Sequence, residues 1–170
     1  MINKKIEKLY LILISLIPIS IVAGSAISLL NIFFILIFFL LFTFWKLDKN
    51  IFKNNILYSL IIIYVYLIFN SFIAIDFETS ANRNFGFIRF ILLFVAINYF
   101  FSVSHKTNYI FNFWSIMIFI VAFDSYIEFF FGRNILGYGE LYGDRIVSFF
   151  KDEPIVGGFI NGFIFIIIGY

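Results

Sequence analysis

The chain has no cysteine, a single histidine and few charges: 13% of its 170 residues are Asp, Glu, Lys or Arg. Lacking cysteine, it has no disulfide framework, no thiol nucleophile and no cysteine-based metal site. The net charge of +2 is small and no basic cluster exceeds a few residues, which argues against nucleic acid as a partner. There is no P-loop, no paired-glycine dinucleotide motif and no metal-ligand spacing, so no cofactor and no metal are expected.

What the chain has in abundance is apolar surface. Hydrophobic residues make up 63% of it and the mean hydropathy is +1.05. A soluble domain of this size needs far more polar residues to cover itself. The composition therefore predicts an integral membrane protein that is all-α, because no stretch alternates polar and apolar residues as a barrel strand does. Apolar segments run over roughly 9–23, 26–45, 56–75, 85–101, 109–131 and 155–170, and a span needs about 20 residues. The expectation is a single polytopic transmembrane domain over 1–170, a bundle of about six helices. The first segment, preceded by "MINKKIEK" and followed by small residues at 23–26, also has the outline of a signal peptide. The later spans favour a retained helix. The sixth segment runs to Tyr170 without a polar stop, which reads as the N-terminal part of a longer protein.

Lys and Arg set the expected orientation. Lys4, Lys5 and Lys8 precede the first segment, Lys46, Lys49 and Lys53 follow the second, and Lys106 with His105 follows the fourth. That pattern puts the N-terminus in the cytoplasm and the 76–84 and 132–154 loops outside. His105 then falls on the cytoplasmic side, as an interfacial residue.

Three charges lie at membrane depth. In "AFDSYIEFFF" (122–131), Asp124 and Glu128 are four residues apart and share a helix face. Counting 1.5 Å per residue puts them roughly 10 and 5 Å below the outer boundary, with Arg89 on the preceding helix roughly 6 Å below it. An isolated charge at mid-helix costs about 2.5–3.5 kcal/mol on insertion scales, so Arg89 is expected to pair with one of the carboxylates. Either the pair is a structural pin, or these groups line a polar cavity that Asn161 in "GGFINGF" could join. Gly158 and Gly162 form a GxxxG, read as a close helix-packing face.

The loop "GRNILGYGELYGDRIVSFFKDEP" (132–154) is too apolar for a solvated tether. Its glycines divide it into turns, and it is expected to lie on the interface or over the helices. Arg133 and Arg145 would then stand at the outer face, where a guanidinium fork suits phosphate. The alternative is that they are solvated loop charges balanced by Glu140, Asp144, Asp152 and Glu153.

The stretches "DSYIEFFFGRNILGY" (124–138), "RIVSFFKDEPIVGGF" (145–159) and "NFGFIRFILL" around Arg89 resemble the O-antigen ligase and polymerase group of bacterial membrane proteins. The likeness covers about 85–159. It departs from the group's pattern in having Glu128 where Gln is usual and Ser148 where Gly is commoner. The resemblance implies a metal-independent glycosyltransferase of the bacterial inner membrane, acting at the periplasmic face. Its donor would be a glycan on undecaprenyl diphosphate. Its acceptor would be a lipid A core for a ligase, or a second carrier-linked glycan for a polymerase. By match, Arg145 and then Arg89 are the candidate catalytic residues, and Arg133, Asp124 and Glu128 the candidate substrate-binding ones. The group's general base, a His on a later periplasmic loop, has no counterpart here. Two other classes stay open: a transporter or channel subunit with an Arg/Asp/Glu path, and a membrane scaffold without chemistry.

Overall fold

The structure, a computed structural model, describes residues 4–42, 53–104, 106–139, 145–151 and 155–169. All regular structure among them is helical: α1 (Lys4–Ser15), α2 (Ile17–Ala23), α3 (Ser25–Phe42), α4 (Asn55–Ile73), α5 (Phe77–Phe85), α6 (Ile88–Val103), α7 (Thr107–Phe131), a short 3₁₀ turn (Ser148–Phe150) and α8 (Val156–Ile168). Among the described residues four helical stretches are long and apolar enough to cross a membrane: 25–42, 55–73, 77–103 and 107–131. The bent pair α1 and α2 makes a fifth if taken as one span. In the bilayer every backbone N–H and C=O must be satisfied within the segment, which is what leaves helices as the only solution for these sequences. The protein is a multi-pass membrane protein of the all-α class.

The segment read as 9–23 is broken at Leu16, where α1 and α2 meet at 43°. Pro18 lies in the first turn of α2, where its missing N–H costs no helical bond. Most of the 76–84 stretch, read as an outer loop, belongs to α5 (Phe77–Phe85). Asp76 caps it, its side chain accepting from the Thr79 backbone N–H at 3.2 Å, and Arg83 sits in its last turn. α8 has 13 residues. At 1.5 Å each these span about 20 Å, short of a hydrocarbon core of about 30 Å.

The chain divides into two compact units, residues 1–10 with 32–104 and residues 11–31 with 105–170. In the first, Tyr10 packs on Phe100 with ring centroids 5.9 Å apart, and Phe39 meets Tyr99 edge-on. Beside this core the Glu7 carboxylate accepts from the Ser104 hydroxyl at 2.9 Å. The Asn84 amide fastens α5 to α4, donating to Leu67 O at 2.9 Å and Ser71 Oγ at 2.8 Å.

In the second unit Trp114 is the centre. Its indole N–H donates to Ile14 O at 3.2 Å and its ring stands edge-on to Phe163 at 5.3 Å. Phe159 continues the cluster between Phe163 and Phe150. Asn31 is buried and donates to Leu13 O and Ser20 Oγ. Outside these cores large apolar side chains stay exposed, Ile62, Phe69 and Phe119 among them, as helices facing lipid require.

Candidate functional site

One stripe of α7 is buried: Ile110, Trp114, Ile118, Val121, Asp124 and Glu128, spaced by three and four residues. The two acids therefore continue the packed face of their own helix, and no packed helix tolerates a bare carboxylate there. Asp124 is 0% exposed and Glu128 5%. What holds them is the segment that follows the helix.

α7 ends at Gly132, whose φ of 72° is the left-handed conformation that glycine adopts at a helix C-terminus, with its N–H donating to Glu128 O at 2.8 Å. The chain then turns about Asn134. The Asn134 side-chain oxygen accepts from the backbone N–H of Leu136 at 3.0 Å and of Tyr138 at 2.7 Å. Its amide nitrogen donates to Asp124 Oδ2 at 3.3 Å and to Ser148 O at 2.7 Å. Asp124 Oδ1 accepts from the Ile135 N–H at 2.9 Å. Gly139 closes the turn so tightly that a Cβ there would lie 2.4 Å from Gly132 O.

The second half of the loop returns to the same two acids. Glu128 accepts from the backbone N–H of both Val147 and Ser148. The Ser148 hydroxyl donates to Asp124 Oδ2 at 2.6 Å. Ser148 is 0% exposed and adopts φ 49°, a conformation costing a non-glycine residue about 1–3 kcal/mol. Its N–H, hydroxyl and carbonyl are all bonded within this cluster, which offsets the strain. The turn it opens packs on α7 and α2. Lys151 Nζ lies 5.9 Å from the Tyr138 ring centroid, linking the two halves of the loop again.

All these partners are donors and the carboxylate oxygens accept from them. Together these bonds hold the loop against the helix end.

The clamp fixes where the loop arginines stand. Arg133 directly precedes Asn134, and Arg145 lies two residues before Val147; both are exposed. Ile146, the chain neighbour of Arg145, lines an apolar groove of about 430 Å³ together with Ala122, Ser125, Tyr126, Phe129 and Ile160. The backbone at Arg145 therefore stands at the edge of an apolar trough.

The sequence offers two roles for Asp124 and Glu128, a structural ion pair with Arg89 or the lining of a polar cavity. The structure turns both towards the loop, so what they contribute to a ligand passes through the loop's position. Arg89 belongs to the first unit, where its guanidinium lies 4.9 Å from the Phe90 ring centroid. Asn161 is exposed on α8. At Gly158 and Gly162 an added Cβ would meet nothing within 4 Å, so the GxxxG is not a packed face among the described residues. His105, Glu140, Asp144, Asp152 and Glu153 lie outside the described residues. Asn134 and Ser148, the residues that complete the clamp, were not picked out as such from the sequence. The signal for Asn134 was its place after a helix-ending Gly-Arg, where Asn caps its own turn.

Comparison with models of protein families, with curated proteins and with solved structures gave no match.

Proposed function

We propose that this membrane protein takes part in assembling a surface glycan at the extracytoplasmic face of the bacterial inner membrane, as a ligase or polymerase. In this reading the 132–151 loop faces the periplasm and holds the diphosphate of an undecaprenyl carrier. Arg145 is the principal phosphate ligand and Arg133 assists; Arg89 is the second candidate that the family resemblance suggests. The reaction transfers the sugar's anomeric carbon from carrier phosphate to an acceptor hydroxyl on a lipid A core or a second carrier-linked glycan. The glycosidic bond to phosphate breaks with its electron pair leaving on the diphosphate. Guanidinium groups already in place stabilise that developing charge without reorganising. The acceptor's proton goes to a base that none of the assigned residues supplies.

The observation that carries this reading is the clamp: two buried carboxylates hold an Arg-bearing loop against the end of a helix, beside an apolar groove. A lipid diphosphate has both parts that such a surface suits, an anion for the guanidinium and a chain for the trough. The test is binding of radiolabelled undecaprenyl diphosphate to the protein in nanodiscs. Losing one charged hydrogen-bonding group costs about 1.5–3 kcal/mol, so Arg145→Ala should weaken binding about 10- to 100-fold, and Arg145→Lys less. Unchanged binding in Arg145→Ala overturns the assignment.

A further inference from the structure

The first unit contains a cavity of about 680 Å³ where α4 ends, α5 runs and α6 begins. That volume is within the range of small-molecule sites, about 300–1,000 Å³. Arg83 and Arg89 both line it, together with Asn70, Asp76, Phe87 and Phe90. We infer that it binds a phosphate group with residues of this unit alone; Arg89 is shared with the glycan reading, whereas Arg83 belongs to this cavity only.

Charge is the first argument. The lining holds two guanidinium groups and one carboxylate, and that carboxylate is already engaged. Asp76 Oδ2 accepts from the Thr79 hydroxyl at 2.6 Å and Oδ1 from the Thr79 N–H at 3.2 Å. These bonds hold its carboxyl below the ordinary value, the hydroxyl contributing most. The cavity thus carries surplus positive charge, with the Asn70 amide as a neutral donor or acceptor.

Rigidity is the second. The Asn84 side chain ties α5 to α4, and Tyr64 stacks on Phe87 with centroids 6.5 Å apart and planes inclined by 19°. The Arg89 guanidinium carbon lies 4.9 Å from the Phe90 ring centroid, a cation–π contact that leaves N–H donors for a phosphate.

Position is the third. α4 and the 77–103 stretch are both of membrane-spanning length, and the cavity reaches from Asp76, in the turn between them, along the second as far as Phe90. Its Asp76 end stands at a turn between two spans, where lipid headgroups meet a membrane protein. Around it Ile73, Ile75, Phe77 and Phe85 are exposed, a surface that suits acyl chains. The same chemistry would take a phospholipid headgroup or a free phosphate, and the experiment separates them.

The purified full chain is placed in nanodiscs of mixed phosphatidylglycerol and phosphatidylcholine, and the retained lipid is read by native mass spectrometry. In a second arm, inorganic phosphate is titrated against the protein in neutral detergent and thermal stability is followed. Phosphatidylcholine also carries a phosphate, but its choline ammonium cancels the charge, so a lipid phosphate held by surplus positive charge predicts at least tenfold preferential retention of phosphatidylglycerol, reduced about tenfold by Arg83→Gln or Arg89→Gln and partly kept by the Lys variants. Stabilisation by inorganic phosphate that the same substitutions remove, without lipid preference, assigns the site to the free anion. Equal retention of both lipids with no phosphate effect overturns the inference, as does either effect surviving the double variant. Should Arg89→Gln fail to insert, Arg83→Gln, at an exposed position in the last turn of α5, decides alone.

Discussion

Replacing Asn134 by Asp changes one group and leaves the side chain's shape intact. The oxygen that accepts from Leu136 and Tyr138 stays, so the local turn survives. The amide donor becomes an oxygen 3.3 Å from Asp124 Oδ2 and 2.7 Å from Ser148 O. Two unit charges at that separation repel by about 5 kcal/mol at an effective dielectric constant of 20. Protonating the introduced carboxyl at pH 7, from its ordinary value of about 3.9, costs about 4 kcal/mol and therefore sets the limit. In the closed loop that carboxyl is protonated, and in the open loop it is ionised. Opening thus releases a proton and becomes easier by about 1.4 kcal/mol for each unit rise in pH. Hydrogen exchange at the Ile135, Val147 and Ser148 amides in nanodiscs measures this, each variant compared with the unmodified protein at the same pH. The ratio for Asn134→Asp should be about a thousand at pH 7 and about ten at pH 5. Asn134→Ala loses the hydrogen bonds without adding charge, so its ratio should not change with pH. If the two variants behave alike at every pH, Asn134 does not face Asp124 and the clamp is wrongly drawn.

Glu128→Ala leaves the buried N–H groups of Val147 and Ser148 without an acceptor; at about 1–3 kcal/mol each, their exchange should accelerate far more than that of Ile135, which hangs on Asp124. Asn84→Ala should lower the Tm by about 2–8 °C, because the link between α4 and α5 contributes about 1–2 kcal/mol; calorimetry in detergent reads it. Gly139→Ala should loosen the loop more than Gly137→Ala, since its Cβ would lie 2.4 Å from Gly132 O whereas that at Gly137 meets nothing within 4 Å; exchange at Ile135 distinguishes them. The Asp76 carboxyl is held below its ordinary 3.8, so its support of α5 is complete above that value and lost as pH falls through the lower, folded one. Exchange in α5 between pH 6 and 3 should show that loss, and Asp76→Asn should abolish its pH dependence.

The helices were legible because lipid demands long apolar runs, and long apolar runs are what a one-dimensional reading detects. Ser25–Phe42, Asn55–Ile73 and Thr107–Phe131 stand close to the expected 26–45, 56–75 and 109–131. α5 was hidden by its polarity: "FETSANRNF" looks like a loop unless Asp76 is recognised as a cap three residues before Thr79. The acids on α7 were visible as an anomaly, but their partners were sought among opposite charges. Backbone N–H groups carry no sequence signature, so Val147 could not be read as a ligand of Glu128. Ser148 adopts a positive φ that nothing in its residue type announces, and it holds that conformation by bonding both acids.

The most direct measurement asks whether a lipid diphosphate lands at the clamped loop. A polyprenyl diphosphate with a diazirine on its isoprenoid chain, irradiated with the protein in nanodiscs and mapped by peptide mass spectrometry, should label the groove peptides that carry residues 122–129, Ile146 and Ile160. Excess undecaprenyl diphosphate should compete that label away, and both Arg145→Ala and Glu128→Ala should suppress it. Labelling confined to other peptides, or undiminished in Arg145→Ala, would contradict the account.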